Sequence, residues 1–121
     1  MEKTIASYGV TVDVPSGTDV TENGSIFAPG GVELALYVDV PGAPAWDRQN
    51  AIEARCYVKA WGASETTSSG WIVEFETTDG ELGFEVGRWC PDRTVIFWAD
   101  RLRDLPAREK AIAIARRARL S

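Results

Sequence analysis

Two alternating apolar runs joined by Asp79-Gly80 constrain this chain more than any other feature. The first is Trp71-Ile72-Val73-Glu74-Phe75-Glu76-Thr77, and the second is Leu82-Gly83-Phe84-Glu85-Val86-Gly87-Arg88-Trp89. Asp-Gly between two runs of strand period is the strongest local signal for a β-hairpin. A third run, Thr94-Val95-Ile96-Phe97-Trp98-Ala99, follows the break at Cys90-Pro91-Asp92 and extends the hairpin into a meander. As a two-residue type I′ loop, Asp79-Gly80 sets Phe75 opposite Phe84 and Val73 opposite Val86 on one apolar face. The other face then holds Glu74 opposite Glu85, with Glu76 and Glu81 beside them. Like charges directly opposed cost stability, and the cluster reads as a solvated face, as a contact for the chain's own basic helix, or as a docking face for a basic partner. Gly83 and Gly87 on that face are expected to bulge the strand or to let an aromatic ring lie across it.

Elsewhere the signals are of the same kind. Val32, Leu34, Leu36, Val38 and Val40 fall on one face of the cleanest period-two run, which stops at Pro41-Gly42. Residues 5–14 read as a first strand ending at Pro15, and 52–61 as a strand after a loop. Loops are expected at 15–31, 41–51 and 62–70, with Asn23-Gly24 in the first of these marking a possible second type I′ hairpin. The one helical pattern covers 105–119, with Pro106 in its first turn and Asp104 positioned to cap it. Ala107, Ala111, Ile114, Ala115 and Ala118 form its inward stripe, with Ile112 at the edge. The expected architecture is therefore α+β. A mainly antiparallel meander of five to six strands over 1–104, as a curled sheet or small barrel, carries one C-terminal helix packed on it. At 121 residues, 45% hydrophobic and 26% charged, the chain suits one domain spanning 1–121.

Charge is unevenly spread. Residues 1–100 hold 16 acids against six Lys and Arg, a net of −10, whereas 101–121 hold 2 acids against seven, a net of +5. Arg108, Arg116, Arg117 and Arg119 are the expected contacts of this basic tail with an acidic body, in its own chain or in a second copy of a homo-oligomer. The acidic body argues against nucleic acid as a partner. With no histidine and only two cysteines, Cys56 and Cys90, the sequence offers no His-based nucleophile pair and no ordinary zinc set, so no metal, cofactor or catalytic residue is expected. Without a signal-like N-terminus or a spanning apolar run, a cytoplasmic protein with no membrane contact is expected.

These features point to a non-catalytic acidic binding protein that docks on a basic surface of a partner protein, as inhibitors, immunity proteins and nucleic-acid mimics do. The expected docking residues are Glu74, Glu76, Glu81 and Glu85 with Trp89 and Trp98, which share the register opposite to Phe84 and Phe97. The alternatives are a small-ligand-binding β-barrel and a self-assembling subunit joined tail to body.

Overall fold

The structure, a computed structural model, describes residues 1–39 and 58–121. In chain order, β1 is Glu2–Ile5, β2 Val10–Asp13, β3 Asp19–Val20, β4 Ser25–Ala28 and β5 Val32–Asp39. Then follow β6 at Val58–Thr67, β7 at Gly70–Thr77, β8 at Leu82–Trp89 and β9 at Thr94–Leu102. The chain closes with α1 at Leu105–Arg117 and β10 at Arg119–Leu120. Seven strands form one sheet in the order β3-β4-β5-β9-β8-β7-β6, and three form a second in the order β1-β2-β10, with every pairing antiparallel. Neither sheet closes on itself, so the α+β architecture takes its curled-sheet form. Register shifts between Val58 and Ala60, Trp61 and Ser64, and Leu82 and Phe84 supply local bends.

The described residues hold ten strands, more than the five to six expected. Two expected loops contain strands: β3 and β4 lie within 15–31, and β6 runs through most of 62–70. The polar composition of Ser64-Glu65-Thr66-Thr67 is that of an edge strand, since every residue from Lys59 to Thr67 is exposed. The expected first strand is two, β1 and β2, separated by a 3-10 turn at Ala6–Tyr8. The loop at 41–51, with Val40, Cys56 and most of the expected strand 52–61, lies outside the described residues.

The hairpin register is the main correction. Thr77 N–H donates to the Glu81 carbonyl at 2.8 Å and Gly80 N–H to the Thr77 carbonyl at 3.0 Å, leaving a three-residue loop, Thr78-Asp79-Gly80. A type I′ turn needs positive φ at its aspartate as well as its glycine. Here Gly80 has φ 79° while no described residue other than glycine has positive φ. A turn followed by one left-handed glycine, the three-residue alternative, results. Asn23-Gly24 closes the β3–β4 hairpin identically: Thr21 N–H meets the Ser25 carbonyl at 2.9 Å, Gly24 N–H meets the Thr21 carbonyl at 3.1 Å, and Gly24 has φ 92°.

One extra loop residue flips every side chain of β8 relative to β7. Phe75 pairs with Gly83, Glu74 with Phe84, Val73 with Glu85, Ile72 with Val86 and Trp71 with Gly87. Phe84 and Val86 therefore join Val95 and Phe97 of β9 and Leu34 and Leu36 of β5 on one face. Against them pack Ala107, Ala111, Ile114 and Ala115 of α1 and Ile5, Val10 and Val12 of the small sheet, forming a single core. Small residues on α1 let it sit close to this surface, and Asp104 caps it by accepting Ala107 N–H at 2.9 Å. Trp71, Val73, Phe75 and Ile96 are buried on the opposite face, outside that core. The meander is thus buried on both sides.

Arg88 fixes the far end of the helix. Its guanidinium donates to the carbonyls of Ala115 and Arg116, each at 3.5 Å, and to that of Ala118. These are terminal acceptors with no partner inside the helix, at its negative end. Arg88→Met keeps the apolar stem and removes the donors; it is expected to lower unfolding free energy by about 2 kcal/mol in urea denaturation. Arg88→Lys should recover only part of this, because an ammonium lacks the planar fork. Two variants matching the wild type would show that the clamp contributes nothing.

Candidate functional site

The flipped register separates the four glutamates. Glu74 and Glu76 stand on the helix side of the sheet, and Glu85 on the other, so the Glu74–Glu85 opposition does not occur. Glu74 Oε2 lies 3.2 Å from Arg108 Nη2, and the same guanidinium donates to the Phe75 carbonyl at 3.4 Å. The basic helix therefore neutralises Glu74 within the chain. Arg116 lies 3.9 Å from Glu65 and Arg119 2.9 Å from Glu2, both exposed pairs that contribute little. Arg117 is exposed and borders a cleft of about 340 Å³ between α1 and the β2 and β4 ends, together with Lys110, Pro15 and Ile114.

Glu85 is 1% exposed and accepts a hydrogen bond from Trp71 Nε1 at 3.0 Å, between Val73 and Trp98 on its neighbouring strands. As a buried carboxylate it cannot be a docking side chain, which corrects its expected role. Trp89 is 47% exposed and leans on Trp71, their ring centroids 5.7 Å apart at 53°. Glu76 is half-buried opposite Leu82. Glu81 is half-buried and borders a cleft at the hairpin tip with Thr77, Asp79, Asp100 and Arg101.

Trp98 leads to a surface that sequence reasoning missed. It is paired with Ala35, which is paired with Ser25, while Asp19, Phe27 and Glu33 form the adjacent row on the same face. Two small side chains thus continue the row of Trp98, with Phe27 standing diagonally across from it in the next row. Phe27 is 49% exposed, Trp98 half-buried, and the trough between them has a volume of about 260 Å³ with Glu33, Asp100 and Arg101 on its rim. None of Glu33, Asp100 and Arg101 takes part in an ion pair among the described residues. The missed signal was the alternation of Ser25-Ile26-Phe27: with Ile26 fully buried, Phe27 has to point outward.

Fold and surface together define an open-sheet α+β protein whose exposed Phe27 ring stands between Asp19 and Glu33. Comparison with protein-family models, curated proteins and solved structures finds no match. Among the described residues no group of three His, Cys, Asp or Glu could hold a metal ion, and no helix is long and apolar enough to cross a membrane.

Proposed function

We propose that the chain is a non-catalytic acidic binding protein that docks on a basic surface of a partner protein through the β4–β5–β9 face. The observation that carries this reading is Phe27, a large apolar ring left 49% exposed in a row with Asp19 and Glu33. Leaving such a ring half-exposed forgoes about 1 kcal/mol of burial, which a docked partner would recover. Trp98 remains part of the proposed surface, with Asp100 added, while Glu81 borders the neighbouring hairpin-tip cleft that Asp100 and Arg101 also line. Carboxylates around an aromatic centre give orientation and fast encounter with a cationic partner, while the rings supply buried area. Self-assembly through the tail is less favoured, because Arg108, its most buried arginine, already meets Glu74 of its own chain.

The test is charge reversal. Glu33→Lys with Asp100→Lys is expected to weaken binding of a partner captured at low salt by at least about tenfold, and to flatten the salt dependence of what remains. Glu109→Lys, on the exposed side of the helix, serves as the control and should leave capture unchanged. Equal capture by the double variant and the control would overturn the reading.

A further inference from the structure

We infer that the trough between Phe27 and Trp98 is a receptor for one arginine side chain projecting from the partner, a step that rests on the proposed function. Ser25 and Ala35 carry little side chain, so the sheet surface there is low between its two rings. Those rings stand on strands two apart, about 10 Å in the hydrogen-bonding direction. That spacing admits an extended alkyl stem along the floor and a flat head group against one ring. Trp98 is the stronger cation acceptor of the two, since indole is the best aromatic face for a guanidinium. Glu33, two residues before Ala35 in β5, and Asp100, two after Trp98 at the bulge of β9, both border the same trough. Neither carboxylate is in an ion pair among the described residues, so a cation entering the trough displaces no partner of theirs.

Arginine fits this arrangement better than lysine. Its planar group can stack on an indole while its fork of donors reaches carboxylates at the rim, whereas an ammonium is a compact, strongly hydrated point charge. A neutral ureido side chain of the same shape keeps N–H donors but lacks the charge that the rim and the indole face attract. Arg101 is on that rim too. As a like charge it opposes the incoming arginine and lowers affinity, so its removal should strengthen binding.

The probe is N-acetyl-arginine amide, titrated at low salt into the full chain and followed by its indole N–H resonances, with Trp98 assigned through Trp98→Phe. Saturable movement of the Trp98 signal is expected, several-fold weaker with N-acetyl-lysine amide and absent with N-acetyl-citrulline amide. Glu33→Gln with Asp100→Asn should weaken the arginine titration about tenfold, and Arg101→Ala should tighten it about twofold to threefold. Both are rim changes that leave the core intact, so folding does not confuse the reading; the spectrum of each variant checks this directly. A citrulline titration equal to that of arginine, or non-saturating shifts shared alike by all the indole signals, would overturn the inference. Partner capture that responds to charge reversal while the arginine amide does not bind overturns the arginine receptor alone. Capture indifferent to charge reversal overturns the docking face as well.

Discussion

Gly83→Ala is expected to destabilise the fold by about 3 kcal/mol, the upper end for inserting one methyl group into a packed interior. A Cβ at this position would stand 2.3 Å from Phe75 Cε2, 2.4 Å from its Cζ and 2.7 Å from the Ala99 carbonyl oxygen. The ring cannot simply move aside. Phe75 is 1% exposed and also meets Trp61 edge-on, with centroids 5.6 Å apart. The carbonyl belongs to β9 backbone and gives less readily still. Urea denaturation of Gly83→Ala, of Phe75→Leu and of the double variant separates the causes. If the clash with the ring dominates, the double variant will be more stable than the sum of the single losses implies, by about 1 kcal/mol or more. Strict additivity would assign the loss to the backbone contact. A loss below about 0.5 kcal/mol in Gly83→Ala would contradict the packing altogether.

The same crossing of ring over glycine explains what could and could not be read from the sequence. The strands of the meander, their order, the inward stripe of α1 and its Asp104 cap were all legible, because each rests on local periodicity or on a single side chain. The register was not, because Asp79-Gly80 closes equally well as two residues or three. Its resolution was nonetheless present in the chain. A three-residue loop sets Phe75 over Gly83 and Trp71 over Gly87, where a Cβ would stand 2.2 Å from the indole, whereas a two-residue loop sets Phe75 against Phe84. Large rings covering strand glycines are the better match, and a glycine every fourth residue in β8 opposite an aromatic every fourth in β7 marks it. The candidate site was less legible. Trp98 lies on it, but Phe27, Glu33 and Asp100 come from three strands whose adjacency depends on β5 pairing with β9 across more than fifty residues of chain. No local pattern reports such a pairing.

Glu85→Lys is the substitution that the misread register would recommend for testing an acidic face, and its expected result is loss of the folded state. Glu85 is 1% exposed, and its Oε2 accepts the Trp71 indole N–H at 3.0 Å. A lysine offers only donors, so the indole would lose its acceptor and an ammonium would take the place of a carboxylate in a buried site. Replacing one member of a buried polar arrangement by a group that cannot complete it costs about 3–5 kcal/mol, a large share of the 5–15 kcal/mol typical of whole domains. Any partner lost by this variant would be lost through unfolding. Glu76→Lys is the matched comparison, since Glu76 is half-buried on the other side of the sheet and belongs to no ion pair among the described residues. It is expected to shift the urea midpoint by less than about 0.5 kcal/mol equivalent. Near-ultraviolet circular dichroism adds a local report, because Trp71 leans on Trp89 as well as donating to Glu85. Coincident collapse of the tryptophan signal and the urea midpoint in Glu85→Lys alone is the outcome the buried carboxylate requires. Equal stability of the two variants would place Glu85 at the surface and restore the two-residue hairpin.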